Sequence, residues 1–224
     1  PPASAPTASP SGWAATSRKV WAVKPQTFRD AAAQARPHVQ HALHLSVAAG
    51  IRSDSIAQWL GGDRIVRAMP NTPALVGKGM TGLFARPAVT AAERDLVEAV
   101  VATTGDHVWL AQENHLDAVT ALSGSGPAYV FYFLEAMVQA GTDMGLTEPQ
   151  ARQLAVGTFS GAAALAGASS DPLQLLRERV TSKGGTTYAA LTSLETSGVK
   201  DAFVRAMQAA QQRAEELGDE FGKA

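Results

Sequence analysis

Apolar and polar positions change rhythm once along this chain, near residue 112. Before that point short apolar runs alternate with amphipathic stretches. Val20 to Val23 is an apolar run stopped by Lys24-Pro25, which predicts a strand. Thr27 to Ala35 carries helical spacing and is expected to end before Pro37, which has no N–H to continue a helical ladder. Leu43 to Ala48 predicts a second strand turned at Gly50, followed by a helix capped by Ser53 or Asp54, running to Leu60 and closed by Gly61-Gly62. Strands are expected again over Arg64 to Met69, Gly79 to Ala85 and His107 to Leu110, with a helix over Ala91 to Ala102. Such alternation predicts a mostly parallel sheet with helices on its faces.

Beyond residue 112 strand signals vanish. Asn114–Leu122, Pro127–Met144, Pro149–Ala166, Pro172–Arg179, Thr187–Leu194 and Val199–Leu217 all carry helical spacing. In the second of these, Tyr129, Phe133, Met137 and Ala140 mark one face, and Gly141, Gly145, Gly157 and Gly161 are expected to let helices approach closely. A helical half of this size makes a modest core, so a partner subunit is expected to complete it. The expected division is an atypical or disordered arm over 1–19, an α/β domain over 20–112 and a helical domain over 113–224.

Composition narrows the function classes. The chain has 224 residues, 46% hydrophobic and 17% charged, with net charge -1, so neither a nucleic-acid footprint nor a polybasic membrane arm is present. The absence of cysteine excludes disulfides, thiolate metal sites and cysteine nucleophiles. No apolar run approaches the ~18 residues of a membrane span. Residues 1–19 are almost wholly Pro, Ala, Ser, Thr and Gly, without helical or strand periodicity.

Candidate chemistry gathers in three segments. Met69-Pro70-Asn71-Thr72-Pro73-Ala74 is a stiff turn at a strand end, carrying an amide and a hydroxyl where open α/β sheets bind ligands. Ser123-Gly124-Ser125-Gly126-Pro127-Ala128-Tyr129 joins two helices, with Ser125 able to cap and Pro127 suited to a first turn; it is equally read as a tight interhelix connection. Thr181-Ser182-Lys183-Gly184-Gly185-Thr186-Thr187 precedes a helix, and its exposed N–H groups make either a carboxylate site or simply a capped turn. Other features read as structural. Gly77-Lys78-Gly79-Met80-Thr81-Gly82 matches a dinucleotide fingerprint literally, but it leads into a strand and not a helix. His38, His41 and His44 straddle a helix end and a strand start, with no acidic co-ligand nearby, and no metal is expected. Glu215, Glu216, Asp219 and Glu220 read as a solvated helix end.

Four co-ordered segments, Ala22-Val23-Lys24-Pro25, Arg67 to Ala74, Leu122 to Tyr129 and Val180 to Thr187, together resemble pyrroline-5-carboxylate reductase, the last enzyme of proline biosynthesis. The resemblance covers residues 20 to about 217. It implies an α/β Rossmann-like domain followed by an all-α helical dimerisation domain. It also implies hydride transfer from NADPH or NADH to the C=N carbon of 1-pyrroline-5-carboxylate, giving L-proline, in a cytoplasmic homodimer or higher homo-oligomer. Carried over residue by residue, Ala22, Val23, Lys24 and Pro25 would line the cofactor at a strand end, and Met69, Pro70, Asn71 and Thr72 would approach its nicotinamide side. Ser182, Gly184, Gly185 and Thr186 would hold the substrate, Ser125 would shape its pocket, and the Thr187 hydroxyl would bond the ring nitrogen as the catalytic group. Such a family also opens with a glycine-rich βαβ unit, whereas residues 1–20 contain a single glycine, Gly12. The Rossmann-like domain is therefore expected to be N-terminally incomplete, its first unit missing or replaced. The alternatives are a catalytically impaired, dimerising helical fragment with no functional cofactor site, and a related imine or 2-hydroxy acid dehydrogenase.

Overall fold

The computed structural model describes Arg18 to Gly222. All of the expected arm except Arg18 and Lys19 lies outside the described residues. Five strands, β1 (Arg18–Trp21), β2 (Leu43–Ser46), β3 (Ile65–Met69), β4 (Gly79–Ala85) and β5 (Gly105–Trp109), form one sheet in sequential order. β1, β2 and β3 are parallel, β4 runs antiparallel to β3, and β5 is parallel to β4. Nine α-helices accompany them among the described residues: α1 (Pro25–Val39), α2 (Ser53–Leu60), α3 (Ala91–Val101), α4 (His115–Val119), α5 (Gly126–Asp143), α6 (Glu148–Ala168), α7 (Leu173–Arg179), α8 (Thr186–Thr196) and α9 (Val199–Gly222). None of them is long and apolar enough to cross a membrane.

The chain forms two compact units. The first runs to Pro127 and takes in the segment from Met207 onward; the second is Ala128–Ala206. The division thus falls later than residue 112, because α4 packs on the sheet. A side chain at Gly82 on β4 would lie 2.8 Å from the Val119 methyl group.

Within the first unit the period-2 alternation of strand side chains sends neighbours to opposite faces. Ile65 joins Trp21, Phe28, Ile51, Ile56 and Leu60 in one core, while Val66 joins Leu43, Leu45, Leu83 and Val97 in the other. Fully burying each of the larger side chains contributes about 1.5–3 kcal/mol.

Several helix ends differ from expectation, each for a physical reason. α1 continues through Pro37 to Val39. Its buried stripe of Phe28, Ala32, Ala35 and Val39 outweighs the lost bond, and both Pro37 and Ala33, whose carbonyl is left without that partner, face solvent. α2 starts without a local side-chain cap. Instead Glu113, 60 residues away, accepts from the Ser53 N–H at 2.6 Å and from its hydroxyl at 2.5 Å. Its other end is closed as expected, by Gly61 in the left-handed region with its N–H on the Ala57 carbonyl. α3 opens with a reciprocal Thr90–Glu93 capping box.

In the second unit Tyr129, Phe133 and Phe203 meet edge to face, with centroids 5.6 and 5.5 Å apart. Met137 and Ala140, expected on that face, are exposed. A side chain at Gly141 would lie 2.8 Å from the Ala151 methyl, so close approach holds there, whereas Gly145, Gly157 and Gly161 have nothing within 4 Å. Phe131, Tyr132, Leu154 and Leu165 all stand more than half exposed.

Candidate functional site

Strand register sets one edge of the first unit. Trp21, Ser46 and Arg67 stand abreast across β1, β2 and β3, so the segments after the three strands leave the sheet at its carboxyl edge. That edge is the ligand-binding side of open α/β sheets. Ala22 and Lys24 are exposed there, with Val23 and Pro25 half-buried. α1 begins at Pro25 with no side-chain cap and no acid in its first turn, leaving its first amide donors uncommitted to side chains. Pro70 and Thr72 follow β3, and a short 3-10 turn, Thr72–Val76, ends at Gly77. Gly79 to Gly82 are β4 itself, hydrogen-bonded to β3 and β5, which removes the literal fingerprint from consideration as a phosphate loop.

Asn71 is committed within the protein. Its Oδ1 accepts from the Met80 N–H at 2.9 Å, and its Nδ2 donates to the Ser123 carbonyl at 3.2 Å and hydroxyl at 3.1 Å. Ser123 belongs to a π-helical turn, Thr120–Gly124, that prolongs α4. The Ser125 N–H closes that turn on the Thr120 carbonyl at 2.8 Å. Ser125 therefore leads directly from a wide helical turn into α5, where an ordinary interhelix loop was expected.

In the second unit the segment before α8 is built as the pattern suggests. Gly184 has φ 74, in the left-handed region that glycine tolerates. Gly185 precedes α8 with no side-chain cap, and a Cβ there would sit 2.5 Å from the Ser182 hydroxyl. Ser182, Gly184, Gly185, Thr186 and Thr187 thus share one short stretch. Thr187 is half-buried, and among the described residues its hydroxyl has no hydrogen-bond partner.

Sequence reasoning misses one charged cluster. Arg67, nearly buried on β3, donates to Glu113 at 2.8 Å. A cavity of about 470 Å³ lies beside them, lined also by Arg52, Asp117, Glu215 and Asp219. Burial, reinforced by Glu215 and Glu113 against the opposing pull of Arg67 and Arg52, raises the Asp117 pKa. Glu215 and Asp219 are therefore part of this wall, Asp219 bonding Arg52 at 2.7 Å, and not simply a solvated helix end. No local signal announces Glu113, since its partners are 46 and 60 residues away.

Of the three histidines at 38, 41 and 44, one is part of the core. His44 is fully buried. Its Nδ1 accepts from the Trp21 indole at 3.0 Å, and its Nε2 lies 3.1 Å from the Val39 carbonyl, which fixes a neutral ring with the proton on Nε2. Burial lowers its pKa to about 4; nearby Arg64 and Lys19 push the same way against the Val39 bond. His38 and His41 are exposed, and no metal-binding cluster occurs among the described residues.

A Rossmann-like sheet with a ligand-binding carboxyl edge, followed by a helical half, defines the chain as a two-domain protein of the nucleotide-dependent dehydrogenase plan. Comparison with known proteins narrows this class. The family model described as pyrroline-5-carboxylate reductase dimerisation matches residues 113–217. The chain is 41% identical over 206 residues to the pyrroline-5-carboxylate reductase of Pseudomonas aeruginosa, covering 91% of this chain and 76% of that protein. It is 38% identical over 199 residues to the enzyme of Pisum sativum, covering 88% and 72%. Among solved structures, a reductase of this name from Coxiella burnetii superposes with TM-score 0.86 at 37% identity, covering 92% of this chain and 78% of that one. The Plasmodium falciparum pyrroline carboxylate reductase, solved with NADP bound, gives TM-score 0.82 at 31% identity, covering 89% and 80%. The chain belongs to the pyrroline-5-carboxylate reductase family.

Proposed function

We propose that this chain reduces 1-pyrroline-5-carboxylate to L-proline with NADPH or NADH, as a cytoplasmic homodimer or higher homo-oligomer. The observation that carries the reading is the segment before α8: an uncapped helix start, two glycines and a half-buried threonine hydroxyl with no partner among the described residues. Amide donors at a helix start suit a carboxylate, and the substrate carries one beside its ring nitrogen. Gly184, Gly185 and Thr186 with Ser182 hold that carboxylate, while the Thr187 Oγ bonds the ring nitrogen and orients the C=N carbon. Ser125 shapes the substrate pocket.

Ala22, Val23, Lys24 and Pro25 line the cofactor at the end of β1, and Met69, Pro70 and Thr72 approach its nicotinamide side. The fit rests on the uncapped start of α1 and the exposed Ala22 and Lys24 at the carboxyl edge. Asn71 joins them through its backbone, because its side-chain amide is already bonded to Met80 and Ser123. When bound, the cofactor supplies the hydride that the C=N carbon accepts. A cyclic imine is basic enough to carry its proton near neutral pH, so the residues need no strong acid; they place the ring, orient its nitrogen and let proximity lower the barrier. This accounts for a site without a carboxylate or histidine.

The homo-oligomer rests on α6. It buries only Ala151 and Ala155, leaves Gly157 and Gly161 with nothing within 4 Å, and exposes Leu154 and Leu165 beside them. A second copy of this chain is the expected cover. The deciding experiment follows NADPH or NADH oxidation and proline formation together, with chemically prepared 1-pyrroline-5-carboxylate. Stoichiometric proline supports the reading, and oxidation without proline refutes it.

A further inference from the structure

We propose that Asn71 is a positioning residue for the reductase reaction, acting by locking the π-helical turn Thr120–Gly124 to the ends of β3 and β4; the reaction itself rests on the function proposed above. The amide bridges two chain segments. Its oxygen takes the Met80 N–H at the start of β4, and its Nδ2 donates to Ser123, reaching the carbonyl at 3.2 Å and the hydroxyl at 3.1 Å. Both ends of the side-chain amide are thus engaged within the protein.

The turn is held by contact as well as by bonds. A Cβ at Gly124 would fall 2.7 Å from the Met69 methyl, and one at Gly82 would fall 2.8 Å from the Val119 methyl. The helix just before Ser125 is thus pressed onto the last residue of β3 and the middle of β4. A π turn carries an extra residue per turn, is rare, and tends to occur at functional sites. Left alone, an α-helix would re-form by sliding the Ser125 N–H from the Thr120 carbonyl to that of Ala121. The Asn71–Ser123 bonds fix Ser123 against that slide. They set the direction in which the Ser125 hydroxyl is presented.

Two variants test the lock, with chain integrity checked by circular dichroism. Asn71→Asp keeps the acceptor for Met80 but loses both donors to Ser123 and sets a carboxylate against the Ser123 carbonyl. Ser123→Ala removes the hydroxyl that accepts from Asn71, together with its long 3.5 Å bond to the Met80 carbonyl. Hydrogen exchange of peptides covering 120–126 is measured beside steady-state kinetics. The expected result for Asn71→Asp is exchange faster by about tenfold or more, with kcat lowered by about tenfold and KM for the nicotinamide cofactor changed less than about twofold. Ser123→Ala should shift both readouts in the same direction by a smaller factor, and the double variant should fall short of the product of the two single effects. Unchanged exchange, or faster exchange with unchanged kcat, overturns the proposal. So does a rise in cofactor KM alone with Ser123→Ala silent, the pattern of a direct contact. If the unaltered protein forms no proline, the proposed function fails separately, and the exchange comparison still decides whether Asn71 holds the turn.

Discussion

Acidification should destabilise this protein through one buried ring. His44 is fully buried in the described chain and held neutral, accepting from Trp21 and donating to Val39. Its pKa is lowered from 6.5 to about 4, chiefly by burial. Below pH 6.5 the unfolded chain takes up a proton there that the folded chain refuses. Stability is therefore complete above pH 6.5, falls as the pH drops, and stops falling near pH 4, where the folded form also protonates. One proton costs about 1.4 kcal/mol for each pH unit of that window, so the loss amounts to about 2 kcal/mol by pH 5 and about 3 kcal/mol at its limit. Urea unfolding at closely spaced pH values between 8 and 5 measures it. His44→Gln provides the reference, because a glutamine amide can accept from Trp21 and donate to Val39 but does not titrate. The variant's stability should stay flatter by about 2 kcal/mol over that window, every other ionisable side chain being common to the two proteins. Parallel pH curves for the two proteins would refute a neutral His44.

Other perturbations probe separate parts of the molecule. Glu113→Gln should destabilise the fold by about 3 kcal/mol in urea unfolding, because it leaves the nearly buried Arg67 without its countercharge; an effect below about 1 kcal/mol would make the pair peripheral. Thr187→Ala should lower kcat/KM by about tenfold to a hundredfold with unchanged melting temperature, and undiminished turnover would remove the hydroxyl from the mechanism. Gly157→Leu should shift light scattering toward monomer without loss of helicity, since nothing within the described chain lies within 4 Å of that position; an unchanged mass would place the oligomer interface elsewhere. Gly105→Ala should fail to give stable protein or lower the melting temperature steeply, as φ is 145 there and a Cβ would lie 2.1 Å from the Gly79 carbonyl oxygen.

Local rules recovered what is locally determined. Apolar runs marked five strands, although β1 begins at Arg18, inside the expected arm, and β5 at Gly105, ahead of the expected His107, because backbone pairing extends past the apolar run; glycine ends such as Gly61 and the Gly184-Gly185 turn were legible because their conformations depend on the residue itself. The passage of α1 through Pro37 was not, since a buried stripe elsewhere on that helix decides it. The antiparallel placement of β4 was equally hidden, because a strand's periodicity carries no direction. The left-handed turn at Gly184 was legible from turn chemistry. Asn71 stood out in sequence, but its engagement with Ser123 and Met80, which lie 52 and 9 residues away, did not. The helical half begins as expected in sequence, yet α4 packs on the sheet, so a change in periodicity did not coincide with the edge of a compact unit.

The carboxylate of Glu113 has a consequence for cutting the molecule. It begins the segment that the dimerisation model matches, yet it caps the start of α2 and neutralises Arg67 in the sheet unit. Severing the chain between 112 and 113 would strip the sheet of a cap and a countercharge in a single stroke. It would also leave a half-buried acid at the raw end of the helical piece. Recombination of relatives, circular permutation or excision of the helical part should therefore cross over after Pro127 and keep the residues from Met207 with the sheet, so that each product carries its own electrostatic closure.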